Sequence, residues 1–336
     1  MKVDLNKAKS MLEEVFATSG ANQVDIKLMT KISIFEDMHG KLFSGFDVID
    51  VQSRLKSLQN PKDVKEEIVV DMPALKLIKG NGRSALLVSA QTAMPLLIKM
   101  AKEQGIAIVG IYDSTYNGSL EYFSREIAKQ DLIGIVTTNG GPQGVVPFGG
   151  KKDIFGTNPL SYAVPTEGSP IAFDAATAQA AYGKIRLAKE SGERLPSDTF
   201  LTEEGEFTTD PSAAFSVIPF GGYKGYAINM LLEVLTGMLV QARSGLDQTG
   251  GQSEIGSLML AIDPAAFGDI KEFKKSASKL VKDVESVPPI DSNNPVRIPG
   301  SRGEALSTEI LESGLLEVNE MAWQKFEKYY EQVVNK

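Results

Sequence analysis

The sequence predicts an α/β protein with helical segments at both ends. Helix-like and strand-like stretches alternate through the middle of the chain: Met94–Gln104, Ile106–Ile111, Ser119–Gln130 and Gly134–Thr138 read helix, strand, helix, strand. Near the N-terminus, Val3, Ala8, Met11, Leu12 and Val15 recur at roughly helical spacing. The 336 residues are 42% hydrophobic and 23% charged, which is ordinary for a globular protein long enough to bury a large core.

Taken in order, Asn6–Ser19, a stretch from Thr30 onward and Ser44–Gln59 read as helices, the last stopped by Asn60-Pro61. Glu67–Val70 and Leu75–Lys79 are short strands, and Gly80-Asn81-Gly82 is a turn. Ile106–Ile111 is apolar and β-branched, as a buried strand requires. The glycine-rich stretch from Asn139 to Gly150 is an extended loop, and Leu160–Val164 and Ile171–Phe173 are strands. Phe200-Leu201 and Phe207-Thr208 flank a hairpin turn at Glu203–Glu206. Gly221–Gly225 opens a long helix, Tyr226–Arg243. A polar loop at Thr249–Ile255, a strand at Leu258–Asp263, a charged helix at Lys271–Glu285 and a helical tail at Glu304–Lys336 complete the chain.

Composition excludes several function classes. A net charge of -8 disfavours nucleic acid as a partner. Without cysteine there is no disulfide, thiolate nucleophile or cysteine–zinc site. One histidine cannot build a multi-histidine metal centre, and no loop carries magnesium or calcium ligand spacing. The N-terminus reads as an amphipathic helix rather than a signal peptide. The most apolar run, Ile228–Val240, is broken by Glu233 and Gly237 and is too short to span a bilayer. A soluble cytoplasmic protein with no membrane or metal partner is expected.

His39 is the only imidazole, and so the only side chain that ordinarily exchanges protons near neutral pH. It is either a proton-transfer group or a surface or capping residue. No G-x-G-x-x-G or P-loop is present. Gly221-Gly222-Tyr223-Lys224-Gly225 precedes a helix, so it reads equally as an anion site at a helix N-terminus or as a tight loop with a solvated lysine. Asp174-Ala175-Ala176-Thr177-Ala178 ends a strand in small residues leading to Lys184, which suits a ligand lying across it or a plain strand-to-helix turn.

Gly156-Thr157-Asn158-Pro159, Thr208-Thr209-Asp210-Pro211 and Gly221–Tyr226 occur in order, with weaker matches at Thr138-Asn139, Gly149-Gly150, Phe173–Thr177, Gly183-Lys184-Ile185 and Pro299-Gly300. This series resembles the malate/L-lactate dehydrogenase-like family of NAD(P)H-dependent 2-oxo-acid reductases over roughly residues 10–305. The resemblance implies a mixed sheet of the family's own kind, not a Rossmann fold, in a homodimer that binds NAD or NADP. It implies cofactor binding by Thr157, Asn158, Pro159, Asp174, Ala175, Thr177, Lys184, Gly222, Tyr223, Lys224 and Gly225. His39-Gly40 matches the family's catalytic Asp-Ser-His-Gly, with Met38 at the serine position.

The departures lie mostly on the substrate side. Phe43 stands where the family has a carboxylate-binding arginine, and Tyr116 where it has a second active-site histidine. Tyr223 replaces a histidine in the glycine-rich turn. On a helix continuing past His39, Phe43 shares its face and Lys41 points elsewhere. The reading is an oxidoreductase in which His39 and Tyr116 serve catalysis and Phe43, Thr138 and Asn139 line the substrate. Phe43 argues against small 2-oxo acids as preferred substrates. A non-catalytic dinucleotide-binding descendant is the alternative. Residues 1–75 form a helical segment for dimerisation that carries His39, residues 76–285 the α/β cofactor-binding region, and residues 286–336 a C-terminal segment packing back on the N-terminal part.

Overall fold

In the computed structural model, which describes residues 1–41, 45–59, 64–115, 117–142, 144–250 and 253–334, Asp4 ends strand β1 (Lys2–Asp4) and caps helix α1 (Leu5–Ala17), its carboxylate accepting the Lys7 amide. Helix α2 (Gln23–Met38) starts earlier than the expected Thr30, because Asn22 caps it through the Asp25 amide. Asp47 caps α3 (Val48–Leu58) in the same way. Strands β2 (Glu67–Met72) and β3 (Leu75–Lys79) follow. Helix α4 (Ala85–Val88) runs through a π-helical turn, Ser89–Ala93, into α5 (Met94–Gln104). Pro95 has no amide hydrogen to give the ladder, and the wider turn sits immediately before it.

Strand β4 (Ile106–Ser114), helix α6 (Glu121–Ala128) and strands β5 (Ile133–Thr138), β6 (Leu160–Val164) and β7 (Ile171–Ala175) form the central layers. Helix α7 (Gly183–Ser191) leads to a small sheet of β8 (Phe200–Leu201), β9 (Phe207–Thr208) and β10 (Ser216–Val217). Helix α8 (Tyr223–Glu233) continues through a π-helical turn at Val234–Met238, and β11 (Ile255–Ile262) and α9 (Ile270–Glu285) follow. The expected single helical tail is two helices, α10 (Ser301–Ser313) and α11 (Glu320–Val334). Left-handed Gly314 stops the first, and β12 (Leu315–Glu317) separates them.

The main sheet runs β2-β3-β4-β11-β5-β6-β7. Only β3 and β4 are parallel neighbours. Strands β4 and β5, which the sequence places in a βαβ pattern, do not touch, because β11 inserts antiparallel between them. On one face Ala107, Val109, Ile111, Val136, Met259 and Ala261 are fully buried in the main core. On the other face Gly110 lies so close to Val240 that a Cβ there would come within 2.9 Å.

Met11, Leu12, Val15 and Phe16, read as a face needing a partner, are buried within this chain at 8% exposure or less. The reason lies at the far end of the sequence: β1 pairs with β12, and α11 lays Trp323 and Phe326 into the same core. A buried ion network joins these helices to the sheet. Arg54 Nε donates to Asp50 at 2.6 Å, and its Nη2 pairs with Glu36. Glu36 also accepts the Ser119 amide at 2.9 Å, holding the loop that leaves β4. Burial raises the Glu36 carboxyl above its usual range, and Arg54 opposes that rise.

Removing one partner of a buried ion pair leaves the others uncompensated in a low dielectric. Arg54→Ala should therefore cost about 3–5 kcal/mol of unfolding free energy. Urea unfolding followed by circular dichroism measures this, and a loss below about 1 kcal/mol would mean that the network holds nothing together.

Candidate active site

The register of the main sheet brings the motifs together. Ser114 of β4 faces Ile255, Thr138 of β5 faces Ser257, and Leu160 of β6 faces both Thr137 and Ala175. The carboxyl ends of β4, β5 and β7 and the amino ends of β6 and β11 therefore share one edge. Ligands of open α/β sheets bind beyond such an edge.

One polar network shapes it. Asn158 holds a left-handed backbone at φ +36° and is fully buried. Its Oδ1 accepts the Gly140 amide at 2.8 Å. Its Nδ2 donates to Glu233 Oε2 at 2.6 Å and Asn229 Oδ1 at 3.0 Å. Asn229 in turn donates to the Gly156 carbonyl and to Thr177 Oγ1. Thr177 returns its amide and hydroxyl to the Thr157 carbonyl at 2.8 and 2.9 Å, and its own carbonyl accepts the Phe220 amide. Segments 139–140, 156–159, 175–178 and helix α8 thus form one frame. A Cβ on Gly140 would fall 2.3 Å from the Thr157 nitrogen, so only glycine fits there.

Asn158 and Thr177 point inward, so what this stretch offers the edge is backbone together with half-buried Thr157 and Pro159. Thr138 and Asn139 are also inside. Thr138 donates to the Gly256 carbonyl at 2.8 Å, while Asn139 accepts the Gly256 amide and donates to the Arg243 carbonyl. They tie the end of β5 to β11.

At the start of α8, Gly221 and Gly222 take positive φ, and a Cβ on Gly225 would lie 1.9 Å from the Phe220 carbonyl. The helix begins at Tyr223, earlier than the expected Tyr226. Tyr223 is 61% exposed, edge-on to Phe148, and Lys224 is exposed beside it. Lys184 is exposed on the first turn of α7.

His39 is the C-cap of α2, and left-handed Gly40 ends the helix. Phe43 and Tyr116 lie outside the described residues. Helix α2 itself stops at Met38. Lys41 does not face away, because it has left the helix. Its Nζ lies 2.8 Å from Glu121 Oε2 and 2.9 Å from Asp174 Oδ2. Ser119 also donates to Asp174 at 2.9 Å. Burial pulls the Lys41 ammonium down, but Asp174 and Glu121 outweigh it and raise it above the usual range. Burial pushes the Glu121 carboxyl up, and Lys41 and Arg125 bring it below the usual range.

The His39 ring stacks on Phe35 with centroids 3.9 Å apart, and Nδ1 lies 2.8 Å from the Phe35 carbonyl. A carbonyl only accepts, so the neutral ring carries its proton on Nδ1 and leaves the Nε2 lone pair available. Among the described residues, Nε2 has no hydrogen-bond partner. Burial, together with nearby Arg125, lowers the imidazole below its ordinary pKa even though the Phe35 carbonyl opposes this.

Sequence reasoning missed Lys41, Glu121, Arg125, Asn229 and Glu233. Two traces were legible: Glu121 and Arg125 are spaced i, i+4, and Glu233 interrupts an apolar run.

Asp37 precedes this loop. Its Oδ2 is sealed from solvent without a partner among the described residues, and burial beside Glu36 holds its carboxyl well above the usual range. A raised carboxyl favours folding below its unfolded pKa of about 3.9, and the benefit is lost as pH rises through the folded value. Asp37→Asn should therefore gain thermal stability over the native protein as pH increases from about 4 to neutral. A Tm difference that is flat or falls with pH would contradict this account of Asp37.

The profile of the malate/L-lactate dehydrogenase family matches residues 3–327. The chain is 33% identical over 312 residues to a malate/(S)-sulfolactate dehydrogenase of Methanothermus fervidus, covering 90% of this chain and 89% of that protein. It is 28% identical over 307 residues to ureidoglycolate dehydrogenase (NAD(+)) of Escherichia coli, covering 89% and 88%. Among solved structures, sulfolactate dehydrogenase from Methanocaldococcus jannaschii superposes with a TM-score of 0.86 at 27% identity, over 100% of this chain and 98% of that one. These matches and the seven-stranded mixed sheet agree with the resemblance read from the motifs: the chain belongs to the malate/L-lactate dehydrogenase family.

Proposed function

We propose that the chain is an NAD(P)H-dependent oxidoreductase acting on the carbonyl or imine carbon of a small 2-oxo-acid-like substrate, with His39 moving the proton. The observation that carries this reading is the Lys41–Asp174 ion pair. It ties the loop after the histidine to the end of β7, on the edge where the motif segments collect.

The residues present fit a dinucleotide. Glycines at 221 and 222 keep side chains out of the edge, and the first turn of α8 offers amides and Lys224 to phosphate. Thr157, Pro159, Ala175, Lys184, Gly222, Tyr223 and Lys224 would hold it, with Asn158, Asp174, Thr177 and Gly225 setting the frame. A bound reduced nicotinamide supplies the hydride. His39 Nε2 takes a proton from a hydroxyl in the oxidative direction and returns it in the reductive one. Its lowered pKa keeps it neutral, so oxidation should be insensitive to pH above neutrality and reduction should slow as pH rises. Tyr116 is the proposed second donor to the substrate oxygen. Phe43 borders the substrate, and Lys41 and Arg125 are already engaged by carboxylates, so small 2-oxo acids such as pyruvate should be poor substrates. Nothing in this arrangement favours the non-catalytic alternative.

The proposed homodimer uses a surface other than the N-terminal helices. Leu231, Val234 and Met238, at i, i+3 and i+7 on α8 and its π-helical extension, are 55%, 41% and 64% exposed. Such a stripe on a chain of this size is suited to a second copy. No helix among the described residues is long and apolar enough to cross a membrane. The cytoplasm, where nicotinamide nucleotides cycle, is the location this reading implies.

Turnover of NADH and NADPH across a panel of 2-oxo acids, cyclic imines and neutral ketones tests the activity. With the best substrate, His39→Ala should lower kcat by about 10²–10⁴ at little cost in cofactor affinity. A loss below about tenfold would move proton transfer to another group. Light scattering should give a dimer for the native protein and a monomer for Met238→Asp. A native monomer at micromolar concentration would refute the dimer.

A further inference from the structure

We propose that Gly303 and Arg125 are positioning residues for His39, forming the second wall of the slot that holds its imidazole. This rests on the reading of His39 as the proton-transfer group.

Phe35 supplies the first wall, by ring stacking and by its carbonyl. α10 lies against the Cδ2 edge of the ring. A Cβ built on Gly303 would lie 3.3 Å from His39 Cδ2 and 3.2 Å from the His39 carbonyl. Gly303 sits in the first turns of α10 without positive φ, so its backbone does not require glycine. Glycine is the poorest helix former apart from proline. Contact with the imidazole accounts for its presence there.

Arg125 sets the position of α10. It is 2% exposed on α6 and reaches the first turn of α10 with both terminal nitrogens. Nη1 donates to Glu304 at 2.6 Å and Nη2 to the Gly300 carbonyl at 3.1 Å. Nε is anchored on Glu121 at 2.8 Å, the carboxylate that also holds Lys41. A planar fork with three separate attachments fixes distance and angle together, which a lysine ammonium does not do. α10 is therefore held at a set spacing from α6, with its side-chain-free position against the ring.

The ring has little freedom left. Rotation would break the Nδ1 bond on one side or drive Cδ2 into α10 on the other. Nε2 is thereby held as the acceptor, in one tautomer and one direction. Arg125 acts through α10, and neither it nor Gly303 is assigned a contact with substrate.

His39 is the only histidine, so ¹⁵N-histidine labelling of the full-length protein gives one imidazole to follow, with no ligand needed. The native protein should show a single neutral tautomer protonated at Nδ1. Gly303→Ala should shift the ring resonances and mix the tautomers. It should lower kcat at least tenfold on the best substrate of the panel, with the NADH dissociation constant changed less than about twofold. Arg125→Lys, which keeps the charge but loses the fork, should move the same signals in the same direction, and it serves as the test if the alanine variant does not fold. Native-like tautomer and titration in the folded variants would overturn the proposal. If His39→Ala keeps its turnover, the proposal falls together with the acid–base reading. If His39→Ala loses turnover while Gly303→Ala leaves the imidazole spectrum unchanged, only the positioning role falls.

Discussion

The carboxamide of Asn158 bonds to two parts of the chain at once and reaches a third through Asn229, and the shape of the ligand-facing edge follows from it. It fastens the turn after β5, helix α8 and, through Asn229, the carbonyls beside β6. Burying such groups without partners costs about 2–7 kcal/mol each, so a satisfied network has few near-degenerate alternatives. Glu233 shows the coupling. It accepts from Asn158 with one oxygen and from the Gly245 amide with the other, so the start of the loop leading to β11 is held by the same carboxylate.

A second group of charges couples that frame to His39. Asp174, Lys41, Glu121, Arg125 and Glu304 come from four different segments, yet each touches the next. In a partly buried setting these contacts are screened less than surface pairs and are worth more. The result places the end of α2, the first turns of α6 and α10, and the end of β7 in one rigid body. The buried Arg54 network does the same further back, fixing α2 on α3 and on the loop after β4. His39 thus owes its position to the N-terminal helices, while the binding edge owes its shape to the sheet.

Elements with local causes were legible in the sequence. The N-terminal amphipathic helix, the helix ending at Gln104 and the β-branched run of β4 lie where residue chemistry puts them. Ordered motifs located the binding edge because each segment leaves the sheet there. What escaped depends on partners distant in sequence. The insertion of β11 between β4 and β5 joins residues more than a hundred positions apart, and no local pattern marks it. The early part of α2 carries an exposed apolar residue, Val24, beside buried Ile26 and Met29, so its periodicity is weak. Lys41 was placed wrongly because the helix was carried past His39, although Gly40 is the residue that ends it. Arg125 and Glu304 are 179 positions apart, and only the fold brings them together.

The central claim is that the sheet edge and His39 form one site. A crystal structure of the protein grown with NADH, or with NADPH, tests it most directly. Hydride transfer needs reacting atoms about 3–3.5 Å apart, and proton transfer needs a donor within about 2.6–3.2 Å of the same substrate. The account predicts the pyrophosphate at the first turn of α8 and nicotinamide C4 within roughly 7 Å of His39 Nε2. A nicotinamide bound elsewhere, or farther than about 10 Å from Nε2, would contradict it.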